Sequence, residues 1–130
     1  MRAVDPSPLR APAAKCRVLV VEDDALTHTT LAMVLEQSGY PVEAVGTVAA
    51  ALARLPGAQC VVLDLNLPDG NGIDVLRHAR ALGLPAKIAV HTGVADPALL
   101  NEVRALKPDA LFVKPFDPDE LLAWLARQRA

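Results

Sequence analysis

Cys60-Val61-Val62-Leu63-Asp64 runs directly into Leu65-Asn66-Leu67-Pro68-Asp69-Gly70-Asn71-Gly72. A short apolar run without alternation, closed by a proline- and glycine-punctuated loop, reads as a strand buried on both faces. Its last residue is a carboxylate. The same construction recurs elsewhere. Val18-Leu19-Val20-Val21 ends in Glu22-Asp23-Asp24, Ile88-Ala89-Val90 ends in His91-Thr92-Gly93, and Ala110-Leu111-Phe112-Val113 ends in Lys114-Pro115-Phe116. Val42–Val45, opened by Pro41, is a weaker run that suits a sheet edge.

Helical patterns fill the intervals. Leu31, Val34 and Leu35 recur at helical spacing, and Gly39 stops that helix. Thr47 caps a segment carrying Val48, Leu52 and Leu55, stopped by Pro56-Gly57. Ile73, Val75, Leu76 and Leu82 mark a third helix. Asp96-Pro97 opens a fourth with Leu99, Val103 and Leu106, and Asp117-Pro118-Asp119-Glu120 opens a fifth with Leu121, Trp124 and Leu125 inward. Strict strand–helix alternation predicts an α/β fold, a doubly wound parallel sheet of five strands with helices on both faces. Right-handed crossovers bring every strand's C-terminal end to one edge, where such sheets bind their ligands. Carboxylates, a hydroxyl and an ammonium then meet there, a set suited to a divalent cation and a phosphoryl group.

The bulk properties agree. At 130 residues, 52% hydrophobic and 22% charged, the chain suits one domain with a real core. Aromatics are only 3%, so aliphatic side chains must build that core. A charge of 13 − 15 = −2 without a basic run argues against direct nucleic-acid binding. No apolar stretch approaches the roughly 20 residues of a membrane span, and the N-terminus has no secretory pattern. Cys16 and Cys60 read as two reduced, buried thiols of a cytoplasmic protein. Residues 1–15, with Pro6, Pro8 and Pro12, read as a flexible lead to a domain over 16–130.

The stretch from Asp64 to Gly72, with Glu22-Asp23 before it and Thr92 and Lys114-Pro115-Phe116 after it, resembles the receiver domain of bacterial two-component response regulators, the chemotaxis regulator among them. The resemblance extends over residues 16 to 129. Spacing carries it: 41 residues from Asp23 to Asp64, 28 to Thr92 and 22 to Lys114. It implies a flavodoxin-like (βα)5 topology with strand order 2-1-3-4-5. It further implies Mg²⁺ held by Glu22 through water, by Asp23 and Asp64 directly, and by the Asn66 backbone carbonyl. Asp64 is then the phosphoacceptor, Thr92 and Lys114 contact the phosphoryl group, and the Lys114-Pro115 peptide is cis. The implied partners are a histidine kinase or histidine phosphotransfer protein as donor and an unidentified output protein or domain, with a homodimer left open. The implied activity is self-phosphorylation and autodephosphorylation rather than metabolic catalysis.

The residues themselves support the metal: three carboxylates within a few ångströms repel unless a hard cation or protonation relieves them. Asp24 reads as a helix cap outside the site. His91, next to Thr92 on a strand, is expected to face away from it. His28 and His78 read as solvated helix residues. Two departures from the family pattern stand out. Leu111 occupies the place, three before the lysine, of a switch aromatic, and Leu106-Lys107-Pro108-Asp109-Ala110 replaces an Ala-Gly-Ala-like segment. Competing readings are an aspartyl-phosphate phosphatase, which would want a second acid where Asn66 stands, a pseudo-receiver used only for interaction, and a flavin module, which the acids after the first strand disfavour. The chain ends at Ala130 without an output segment, as expected of a single-domain regulator or a piece of a larger one.

Overall fold

The computed structural model describes residues 15–93, 96–114 and 117–128. The proline-rich lead up to residue 14, the Lys114–Pro115 peptide and Phe116 lie outside the described residues. In chain order the elements are β1 (Val18–Val21), α1 (Ala25–Gln37), β2 (Val42–Val45), α2 (Val48–Arg54), β3 (Cys60–Asp64), β4 (Asn66–Leu67), β5 (Gly70–Asn71), α3 (Ile73–Ala81), β6 (Lys87–Thr92), α4 (Pro97–Ala105), β7 (Ala110–Val113) and α5 (Pro118–Ala126). A short 3₁₀ turn over Leu55–Gly57 finishes α2.

The five long strands form one parallel sheet in the order β2-β1-β3-β6-β7, which is the expected 2-1-3-4-5 once the two-residue strands are set aside. Strand alternation splits the core in two. Leu19, Val21, Val61, Leu63, Ile88 and Val90 pack with α2, α3 and α4 on one face. Val18, Val20, Cys60, Val62 and Ala89 pack with α1 and α5 on the other, around Leu31, Leu35, Leu121, Trp124 and Leu125. The sheet is therefore aliphatic on both sides, as unbroken Val/Leu runs require, and each fully buried side chain contributes about 1.5–3 kcal/mol relative to exposure. Leu111 is half-buried against the first of these clusters. Cys16 and Cys60 are buried free thiols, with Cys60 Sγ donating to Cys16 Sγ at 2.8 Å.

The helices begin where the capping signals place them. Asp24, Thr47, Asp96 and Asp117 each accept from a first-turn amide. Two local readings need correction. Leu82 does not belong to α3: the helix ends at Ala81, and Leu82 is its C-cap, 59% exposed. The stretch after Asp64 is not plain loop: Asn66 pairs with Asn71 and Leu67 with Gly70 in a two-residue antiparallel ladder. Leu67 is buried, and Asp69 at the hairpin tip accepts from Val48 N at 2.7 Å and Ala49 N at 3.1 Å. That carboxylate satisfies two orphan amides of α2 and anchors the hairpin.

Candidate functional site

The site lies just beyond the C-terminal ends of β1, β3, β6 and β7. β1 stops at Val21, which leaves Glu22 and Asp23 as the first residues beyond it, while β3 ends in Asp64 itself. Glu22, Asp23 and Asp64 each offer an oxygen, all within 4.8 Å of one another. Glu22 and Asp64 are buried and Asp23 is exposed. Lys114, the residue after β7, reaches back and donates from Nζ to Glu22 Oε1 at 3.1 Å and to Asp64 Oδ2 at 3.3 Å. Asp64 Oδ1 accepts from Asn66 N at 3.2 Å, and Glu22 Oε2 accepts from Asp24 N at 3.1 Å. Thr92 is fully buried at the end of β6, and its carbonyl accepts from Lys114 N at 2.8 Å. These groups open on a cleft of about 320 Å³ lined by Glu22, Asp23, Asp24, Asp64, Asn66, Gly93 and Lys114.

The electrostatics follow from this crowding. Burial pushes the Glu22 carboxyl above its usual range; the Asp24 amide pulls it back, and neighbouring Asp64 pushes it up again. Burial alone would lower the Lys114 ammonium, but its hydrogen bond to Glu22 and the charges of Asp64 and Glu22 outweigh that and raise it. Lys114 is therefore charged at neutral pH. One ammonium faces three carboxylates, two of them largely out of solvent, so the site favours a further cation. The donors are all hard oxygens and one acid is open to water, which fits Mg²⁺. Asp24 lies on the rim and caps α1 through Thr27 N at 2.9 Å and Thr27 Oγ1 at 2.7 Å.

Two histidines depart from expectation. His91 does not face away from the carboxylates. It pairs with Asp64 in the parallel ladder, so both side chains point to the α1/α5 face, and its Nε2 lies 3.7 Å from Glu22 Oε1. That approach would count as an ion pair only for a charged ring. Burial, then the charge of Lys114, lower His91 to about 4 against the pull of Asp64, so the ring is neutral at pH 7. His28 is not simply solvated either. It is half-buried on α1 with Nδ1 2.9 Å from the Glu22 carbonyl oxygen. His78 is exposed, as expected. Gly72, which closes the stretch that carries the family resemblance, has a structural role that its place in the sequence does not announce. A Cβ there would sit 2.1 Å from the Asp64 carbonyl oxygen, so only glycine lets the chain return beneath Asp64.

Among the described residues no helix is long and apolar enough to cross a membrane. The sequence profile of the response regulator receiver domain matches residues 18–126. The cell cycle transcriptional regulator CtrA of Caulobacter vibrioides is 34% identical over 109 residues, covering 82% of this chain and 47% of that protein. The chain spans about half the length of the curated relatives it matches. Among solved structures, a chemotaxis-regulator-like receiver domain from Methanospirillum hungatei aligns with a TM-score of 0.79 at 30% identity, over 86% of this chain and 94% of that one. A response regulator from Burkholderia pseudomallei, solved with a phosphorylated aspartic acid, a calcium ion and citrate, aligns with a TM-score of 0.74 at 29% identity, over 84% of this chain and 65% of that one.

Proposed function

The chain belongs to the response regulator receiver domain family, a phosphoacceptor module of two-component signalling, and on that premise we propose that Asp64 is its phosphoacceptor. One observation carries the assignment. Among the described residues, Asp64 is the one buried carboxylate that ends a central strand with one oxygen on the Asn66 amide and the other on the Lys114 ammonium. The carboxylate is thus held at both oxygens, with the Lys114 ammonium shared between it and Glu22.

In this reading Asp64 attacks phosphorus in a phosphohistidine donor. The new oxygen–phosphorus bond forms as the phosphorus–nitrogen bond breaks, and the donor's histidine leaves with the electron pair. Lys114 Nζ, already between Glu22 and Asp64, neutralises charge on the transferred group, and the Thr92 hydroxyl donates to one of its oxygens. Glu22, Asp23, Asp64 and the Asn66 carbonyl would hold Mg²⁺, which when bound would supply charge neutralisation that one lysine cannot. Water later cleaves the acyl phosphate and restores the carboxylate, so the domain switches itself off.

The donor is a histidine kinase or histidine phosphotransfer protein, and the compartment is the cytoplasm. The output is another domain or protein. CtrA is a transcriptional regulator, but the sequence here has a net charge of −2 and no basic run, so DNA contact by this domain itself is not proposed. The test is incubation with acetyl phosphate and Mg²⁺ followed by intact mass. Wild type gains one phosphoryl group and Asp64→Ala gains none. Labelling of the variant at the wild-type level would move the acceptor elsewhere.

A further inference from the structure

The β1–α1 turn holds the proposed metal ligands, and its peptide geometry is fixed from two sides. Glu22 N donates to Val45 O of β2 at 3.0 Å. The Glu22 carbonyl oxygen lies 2.9 Å from Nδ1 of His28, one turn into α1. A carbonyl only accepts, so Nδ1 carries the proton and donates. His28 N in turn donates to Asp24 O at 2.8 Å, which ties the same residue to the far end of the turn. The peptide whose carbonyl His28 holds is the one that joins Glu22 to Asp23. Its plane sets the direction in which Asp23 leaves the backbone, and Asp23 is the exposed acid of the trio.

We infer that His28 is a positioning residue for the cation site: its Nδ1–H fixes the Glu22–Asp23 peptide so that Asp23 presents its carboxylate beside Asp64. The inference rests on the metal reading proposed above. It concerns a hydrogen bond, not the charge of the ring. The same half-buried place on α1 could be filled by an aliphatic side chain if only packing were required, so a donor at that atom is the discriminating feature.

Asparagine and leucine separate the two roles. The Asn side-chain amide nitrogen is as many bonds from Cα as His Nδ1, and leucine has the same branching with no donor. Leucine is also the better helix former, so loss of helix cannot account for its defect. Mg²⁺ is titrated into wild type, His28→Leu and His28→Asn and followed by the amide shifts of Asp23, Asp64 and Asn66, with melting temperatures measured in metal-free buffer. His28→Leu should bind Mg²⁺ about tenfold more weakly, as loss of an outer hydrogen bond to a metal site usually does, and His28→Asn should stay within about threefold of wild type. The metal-free melting temperature of His28→Leu should match or exceed that of His28→Asn. Equal Mg²⁺ affinity in wild type and His28→Leu overturns the inference, as does His28→Asn binding as weakly as His28→Leu. Absence of Mg²⁺ shifts in wild type would overturn the metal reading itself, and that outcome is distinct from either of these.

Discussion

Lys114 pairs with Glu22 and Asp64, so on the proposed reading its ammonium would compete with a cation for those acids yet supply charge to an incoming phosphoryl group, and removing it should separate metal binding from phosphoryl acceptance. Lys114→Ala is expected to bind Mg²⁺ as tightly as wild type or tighter in calorimetry, while its rate of labelling by acetyl phosphate falls by about two to three orders of magnitude, in the range of losing one electrostatic stabiliser. Weaker Mg²⁺ binding in the variant would mean the lysine organises the acids instead of competing for them. His91 yields a prediction on pH. Its folded value of about 4 lies below the ordinary 6.5, so the unfolded chain binds the extra proton first as pH falls. The stability it contributes is complete above pH 6.5 and is lost as pH drops toward 4. The difference corresponds to about 3 kcal/mol. Glu22 works in the opposite sense, since a raised carboxyl favours the fold at low pH and loses that contribution as pH rises through its folded value. The two are separated by comparing wild type with His91→Leu in urea unfolding between pH 7 and pH 4. The wild type should lose about 3 kcal/mol more than the variant over that interval, and parallel curves would show that His91 is not held neutral.

Among the elements, the β3–α3 connection does the most positioning with the fewest residues. Gly72 N donates to Leu65 O at 2.8 Å, and the ideal Cβ of residue 72 would meet the Asp64 carbonyl oxygen at 2.1 Å and Leu65 Cα at 2.9 Å. Both obstacles are backbone, so no rotamer change relieves them. Gly72→Ala is therefore expected to cost about 3 kcal/mol in urea unfolding, and to slow phosphorylation because the clash is with Asp64 itself. A loss below about 1 kcal/mol would show that the connection yields. The residues of this connection were readable in the sequence, but its hairpin was not. Two-residue strands carry no periodicity, and what holds them, Asp69 on the α2 amides and Leu67 in the core, depends on contacts some twenty residues away or on tertiary packing. A similar tertiary tie joins α3 to the α4–β7 turn. Arg80 donates to Leu106 O, Lys107 O and Asp109 Oδ2, and so satisfies the end of α4 where Lys107 takes a φ of 53°. The proline-bearing segment before β7 thus has a C-cap supplied from another helix, which no local pattern announces.

Across the whole molecule, the strand ends were legible because each buried strand is an unbroken aliphatic run, and a polar residue that follows one must leave the sheet at its edge. Parallel pairing then brings Glu22, Asp64 and Lys114 together, with Thr92 tied to Lys114 through its backbone carbonyl, without any need to know side-chain directions. What failed was the facing of His91, because alternation was judged against Thr92 in its own strand, whereas the relevant partner is Asp64 across the ladder. Register between strands, not the next residue along, decides which groups share a face. The convergence of three acids and one ammonium also sets how the entire fold should respond to metal. A cation that binds only the native site stabilises by mass action, by about 1.4 kcal/mol at ten times its dissociation constant. For a domain of this size that is about 5 °C in melting temperature. Raising Mg²⁺ from zero through saturation should thus lift the wild-type melting temperature progressively, while Asp23→Ala should start near the same metal-free value, since its side chain is exposed, and stay flat. Potassium chloride at matched ionic strength provides the control, because general screening of repelling carboxylates would raise both proteins alike. If the wild-type rise were reproduced by potassium, or persisted in Asp23→Ala, the acids would be relieved by screening or protonation and the strand-end cluster would not be a divalent-cation site.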